Sequence, residues 1–129
     1  MTEVMEGYYY TKSHEWVSKE SDNQVKIGLT DYAQDQLTDI AYVELPDVGD
    51  RFERGAPLGV VESVKSSDEI MSPITGEVVD TNTELEDSPE FINDSPYASG
   101  WMILMSAENL GELDDLMTTD QYREYLTSL

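Results

Sequence analysis

Turn-forming residues interrupt this chain so often that no element between them can be long. They fall at Asp22-Asn23, Pro46-Asp47, Gly49-Asp50, Gly55, Ser72-Pro73, Thr75-Gly76 and Asp94-Ser95-Pro96. Between them lie short apolar or alternating runs: Gln24–Leu29, Ile40–Leu45, Leu58–Val61, Gly76–Asp80 and Gly100–Met105. Alternation is strict in Tyr42-Val43-Glu44-Leu45. Short strands punctuated in this way predict a mainly β protein, a sandwich or barrel.

Two segments depart from that pattern. From Thr30 to Leu37 a capping threonine precedes an aspartate, and Ala33 and Leu37 stand four apart, which predicts a short helix near residues 30–38. From Asn109 onward Leu110, Leu113, Leu116 and Met117 recur at helical spacing. Tyr122, Tyr125, Leu126 and Leu129 continue the pattern after Thr118-Thr119-Asp120. One or two C-terminal helices over about 109–127 are expected to pack on the β body, all within a single domain spanning 1–129.

Charge narrows the partners. The 129 residues include 28 acidic and 7 basic side chains, a net charge of −21. Such a surface repels phosphate backbones and anionic headgroups, so neither nucleic acid nor membrane is an expected partner. An acid-rich, lysine-poor composition suits a salt-loving source. The chain has no cysteine, which excludes disulfides, thiolate metal sites and cysteine catalysis. The opening MTEVMEGYYYTKSHEW lacks the basic and apolar regions of a secretory signal, and a cytoplasmic location is expected.

Lys65 is one of four lysines, with Lys12, Lys19 and Lys26. An apolar strand, Gly59-Val60-Val61, leads into Glu62-Ser63-Val64-Lys65-Ser66-Ser67, and an outgoing segment returns toward Ser72-Pro73. This is the profile of a hairpin with the lysine at its tip. Gly49 stands sixteen residues before Lys65 and Gly76 eleven after it, positions suited to tight turns or close backbone approach. On residue type alone, a solvated turn lysine is the ordinary reading.

Six segments taken in order change that. They are Thr11-Lys12-Ser13-His14-Glu15-Trp16, Gly28 to Leu37, Val43-Glu44-Leu45-Pro46, Gly59 to Lys65, Ser72 to Val78, and Ser95-Pro96-Tyr97 with Gly100-Trp101-Met102. Together they closely resemble the H protein of the glycine cleavage system, over roughly Tyr8 to Tyr125. The resemblance implies a lipoyl-carrier barrel-sandwich hybrid with short helices, and a non-catalytic carrier. It implies lipoic acid attached through an amide to Lys65. It also implies that the arm takes an aminomethyl group from glycine decarboxylase, a pyridoxal-phosphate enzyme. The arm then passes methylene to tetrahydrofolate on the aminomethyltransferase and is reoxidised by dihydrolipoyl dehydrogenase. Lipoate-attaching enzymes are a further implied partner, and an added role in relaying lipoate to other enzymes is compatible with the sequence.

By the same resemblance Ser13 and Glu15 approach the loaded amine, and Leu29 lines the cleft of the arm. The family's acidic residue four places after the lysine falls on Glu69, with Asp68 just before it where a small residue is usual. His14, the only histidine, has no assigned contact. Rival readings fare worse. A biotin acceptor would put methionine on both sides of the lysine, whereas Val64 and Ser66 stand there. A 2-oxoacid dehydrogenase lipoyl domain would show Asp-Lys-Ala. A Schiff-base lysine needs desolvation or a neighbouring cation, while Glu62, Asp68 and Glu69 favour the charged amine. Trp16 and Trp101 read as core, Tyr8–Tyr10 as edge-strand packing, and Glu84–Glu90 as a solvated loop.

Overall fold

The computed structural model describes residues 2–129. Among the described residues nine strands form two sheets. The larger takes β1 (Tyr9–Tyr10), β2 (Glu15–Lys19), β3 (Gln24–Leu29), β9 (Ile103–Ala107), β8 (Gly76–Thr81) and β5 (Arg51–Phe52), in that spatial order. The smaller takes β4 (Ile40–Glu44), β6 (Pro57–Ser63) and β7 (Ser67–Met71). Every strand pair is antiparallel. The mainly β expectation therefore holds, with short helices added at the margins.

The alternation of β4 shows how the smaller sheet is oriented. Val43 pairs with Val61 of β6, and both are buried, while Tyr42 and Glu44 point outward and are exposed. The strand β2 has no such alternation, because both of its faces are covered. Val17 joins the main core with Val25, Ile27, Met105 and Ile103, whereas Trp16 joins a second cluster with Tyr10 and Tyr122. Trp16 is fully buried and its indole N–H donates to the Pro96 carbonyl at 3.0 Å. Trp101 is only half-buried, with the Lys26 amine 5.2 Å above its ring.

The helix α1 (Asp31–Leu37) forms where the capping pattern placed it. Thr30 Oγ1 accepts from the Ala33 N–H at 3.2 Å, and Ala33 and Leu37 face the core. The tail divides differently from its leucine spacing. Leu110–Asp115 is a 3-10 helix, and Met117 then pairs with Tyr10 in an isolated bridge. Thr118 opens α4 (Thr119–Thr127) with a reciprocal capping box to Gln121, so the apparent interruption at Thr118-Thr119-Asp120 is a helix start. Tyr122 of α4 stacks on Tyr10 with centroids 4.4 Å apart and planes 2° from parallel.

Two expectations need correction. The acidic Glu84–Glu90 stretch is not simply a loop: it forms α2 (Glu84–Asp87) and leads into α3 (Phe91–Asp94), anchored by the fully buried Leu85 and Ile92. The last strand starts at Ile103 rather than Gly100, because Gly100 closes a turn by donating its N–H to Ser95 O at 2.8 Å.

Arg51 pairs with Glu108 at 2.5 Å, Arg54 with Asp115 at 2.7 Å, and Arg123 with Glu6 at 2.6 Å. Exposed pairs of this kind contribute little each, and the net −21 already counts their arginines. Added salt screens that repulsion. The midpoint of urea unfolding is therefore expected to rise with sodium chloride; greatest stability in dilute buffer would contradict it.

Candidate functional site

The hairpin β6–β7 turns through Val64, Lys65 and Ser66. No glycine is needed there because a serine hydroxyl templates the reversal. Ser63 Oγ accepts from the Lys65 N–H at 3.1 Å and from the Ser66 N–H at 3.0 Å, while the Ser63 N–H donates to Ser66 O at 2.8 Å. A further bond from the Val64 N–H to Asp39 O at 3.2 Å ties the tip to the approach of β4. Lys65 is exposed, and Val64 beside it is 76% exposed.

A cleft of about 290 Å³ opens next to this tip. The segment Ser13–Glu15 and Leu29 form one wall, and Tyr32, Ala33, Gln36 and Leu37 of α1 form another. The hairpin closes it with Val61, Ser66, Asp68, Glu69 and Ile70. Lys65 itself stands outside the lining, one residue from Ser66. The structure thus brings Ser13, Glu15, Leu29, Asp68 and Glu69 to one cavity. Pairing register separates the two acids. Asp68 opposes Val61 and shares the inner face with buried Ile70, whereas Glu69 opposes Val60 on the outer face.

Glu15 is only 1% exposed. It accepts from Thr11 Oγ1 at 2.5 Å and Ser13 Oγ at 2.6 Å, with the Met71 N–H at 3.4 Å. Burial pushes its carboxyl above the usual range, and these donors pull it partly back.

His14 also lines the cleft, in the left-handed region at φ 71°. Its Nδ1 lies 2.8 Å from the Tyr122 hydroxyl and its ring 4.6 Å from that of Tyr32. Burial lowers its pKa below 6.5. The unfolded chain therefore binds this proton first, so His14 costs the fold stability as pH falls below 6.5, a cost absent above it. A His14→Asn variant, which tolerates the left-handed backbone, is expected to lose that slope in unfolding free energy. Equal slopes in both proteins would refute the assignment.

Sequence reasoning missed Tyr32 and Gln36. The signal was present: residues 32, 33, 36 and 37 fall on one face of α1. Among the described residues no helix is long and apolar enough to cross a membrane.

Comparison with known proteins bears on this arrangement. The family model described as glycine cleavage H-protein matches residues 8–129. The glycine cleavage system H protein of Bacillus licheniformis is 50% identical over 117 residues, covering 91% of this chain and 91% of that protein. A probable glycine cleavage system H protein of Pyrococcus abyssi is 50% identical over 127 residues, covering 98% and 94%. The crystal structure of a glycine cleavage system H protein from Mycobacterium marinum superposes with a TM-score of 0.87 at 31% identity, covering 96% of this chain and 99% of that one. The chain belongs to the glycine cleavage H-protein family, the lipoate-carrying, non-catalytic component of the glycine cleavage system.

Proposed function

We propose that Lys65 bears lipoate through an amide to its Nζ, and that the adjoining cleft shelters the arm between visits to partner enzymes. The observation that carries this reading is an exposed lysine at a braced hairpin tip, beside a cleft whose lining includes the buried Glu15. The residues present fit the group. The amine is accessible for acylation, Leu29, Val61 and Ile70 offer apolar wall to a hydrocarbon arm, and Glu15 with Ser13 offers acceptors to a cationic end.

When bound, lipoate supplies a dithiolane that accepts an aminomethyl group and a pair of electrons. The chain's own residues do the rest. Ser63 holds the tip in shape, so that the modified lysine projects in one direction. Ser13 orients the Glu15 carboxyl, and Asp68 adds negative charge on the inner face of the hairpin. The tether raises effective concentration at each partner without renewed diffusion. The partners in this reading are glycine decarboxylase, aminomethyltransferase and dihydrolipoyl dehydrogenase, together with a lipoate-attaching enzyme, all in the cytoplasm. The 129 residues act as one domain, with the C-terminal helical segment part of it.

The test is reconstitution with lipoylated chain and glycine decarboxylase. Exchange of bicarbonate into the glycine carboxyl group is expected with the parent chain and absent with Lys65→Arg. Undiminished exchange with that variant would defeat the reading.

A further inference from the structure

Tyr122 lies on α4, outside the cleft, and is fully buried. Its ring fills the second core cluster against Tyr10, a task phenylalanine could perform. Its hydroxyl does something separate. It stands 2.8 Å from His14 Nδ1 and 2.8 Å from Thr30 Oγ1. Of those two partners His14 lines the cleft, and Thr30 immediately precedes α1, whose residues 32, 33, 36 and 37 line it further on. His14 sits between Ser13 and Glu15, while Thr30 caps α1 through the Ala33 N–H.

The backbone closes the arrangement, since the Thr30 N–H donates to His14 O at 3.0 Å. One buried hydroxyl and one amide thus complete a ring of contacts joining the Ser13–Glu15 segment to the start of α1. Proton counting is consistent with this. Thr30 Oγ1 accepts from Ala33 and donates to the Tyr122 oxygen, leaving the Tyr122 O–H for an unprotonated His14 Nδ1. The ring also supports a costly backbone: a non-glycine residue at positive φ persists only when its surroundings hold it there.

We propose that Tyr122 is a positioning residue, whose hydroxyl fixes the Ser13–Glu15 segment against the cap of α1 and so sets the shape of the cleft from the C-terminal helix. This rests on the cleft being the docking place of the arm. The consequence is that α4, remote from Lys65 in sequence, governs how well the arm is sheltered.

Hydrogen exchange on the unmodified chain tests it, using Tyr122→Phe beside Tyr10→Phe. The second variant removes the other hydroxyl of the same stacked pair, one bonded to Met5 and not to the cleft. Amides of Thr30 and Ala33 are expected to exchange about tenfold faster in Tyr122→Phe, the loss of roughly one buried hydrogen bond, and at the parent rate in Tyr10→Phe. The lifetime of an aminomethyl-loaded arm should shorten in the same variant alone. Unchanged exchange in Tyr122→Phe, or equal acceleration in both variants, would overturn the proposal; the latter would make α4 a general brace. Should the parent protect a loaded arm no better than free lipoamide, the docking reading itself fails, which the exchange rates do not decide.

Discussion

A Glu15→Gln variant carrying a lipoyl arm loaded with an aminomethyl group is expected to lose that group to water about thirtyfold faster than the parent. Glutamine keeps the shape and an acceptor oxygen for Thr11 and Ser13, so those two hydrogen bonds survive and only the long 3.4 Å contact from the Met71 N–H loses its acceptor. What disappears is the negative charge facing a cationic amine, worth about 2 kcal/mol for a charge-assisted bond in a dry site. Stability should move the other way. Burial raises the Glu15 pKa, so the ionised carboxylate costs folding free energy above the usual carboxylate range, a cost relieved by protonation. Glutamine carries no such cost. Faster loss of the group with equal or higher thermal stability is therefore the expected pair of results. Equal lifetimes would remove Glu15 from the docking role.

Gly76→Ala is expected to destabilise the fold by about 3 kcal/mol, read as a lower urea midpoint. Gly76 begins β8 between two neighbours, opposing Phe52 of β5 and Ala107 of β9. A Cβ there would overlap the Ser106 carbonyl oxygen, which is backbone and cannot swing away. In open space the same substitution would stabilise a protein, by reducing the freedom of the unfolded chain. The sign of the effect therefore decides whether close approach is real. A neutral or stabilising result would contradict it.

Much of this molecule is readable from local chemistry. The Thr30 cap, Asp31 in the first turn and the Ala33–Leu37 spacing specify α1, and the structure reproduces it with the cap bond in place. The Lys65 hairpin is legible because Ser63 and Ser66 supply turn chemistry without a long-range partner. Other parts depend on contacts distant in sequence. β2 shows no alternation because Trp16 and Val17 are buried on opposite faces. α2 looks like a solvated acidic loop until Leu85 finds the core. The cleft combines Glu15, α1 and Asp68, and no periodicity relates those three. The association of Glu15 with Asp68 as a docking set came from family resemblance, and their common cavity with α1 from the fold. Tyr122 illustrates the limit: helical spacing marks it as apolar packing, whereas its hydroxyl is committed to residues 92 and 108 positions away.

The central claim is that Lys65 is the attachment point of lipoate. Intact mass of the chain isolated from lipoate-replete cells, followed by mass analysis of the peptide containing Lys65, tests it most directly. A lipoyl-sized increment confined to that peptide, and missing from Lys65→Arg, is the predicted result. An unmodified Lys65 in those cells, or the increment on another lysine, would contradict it.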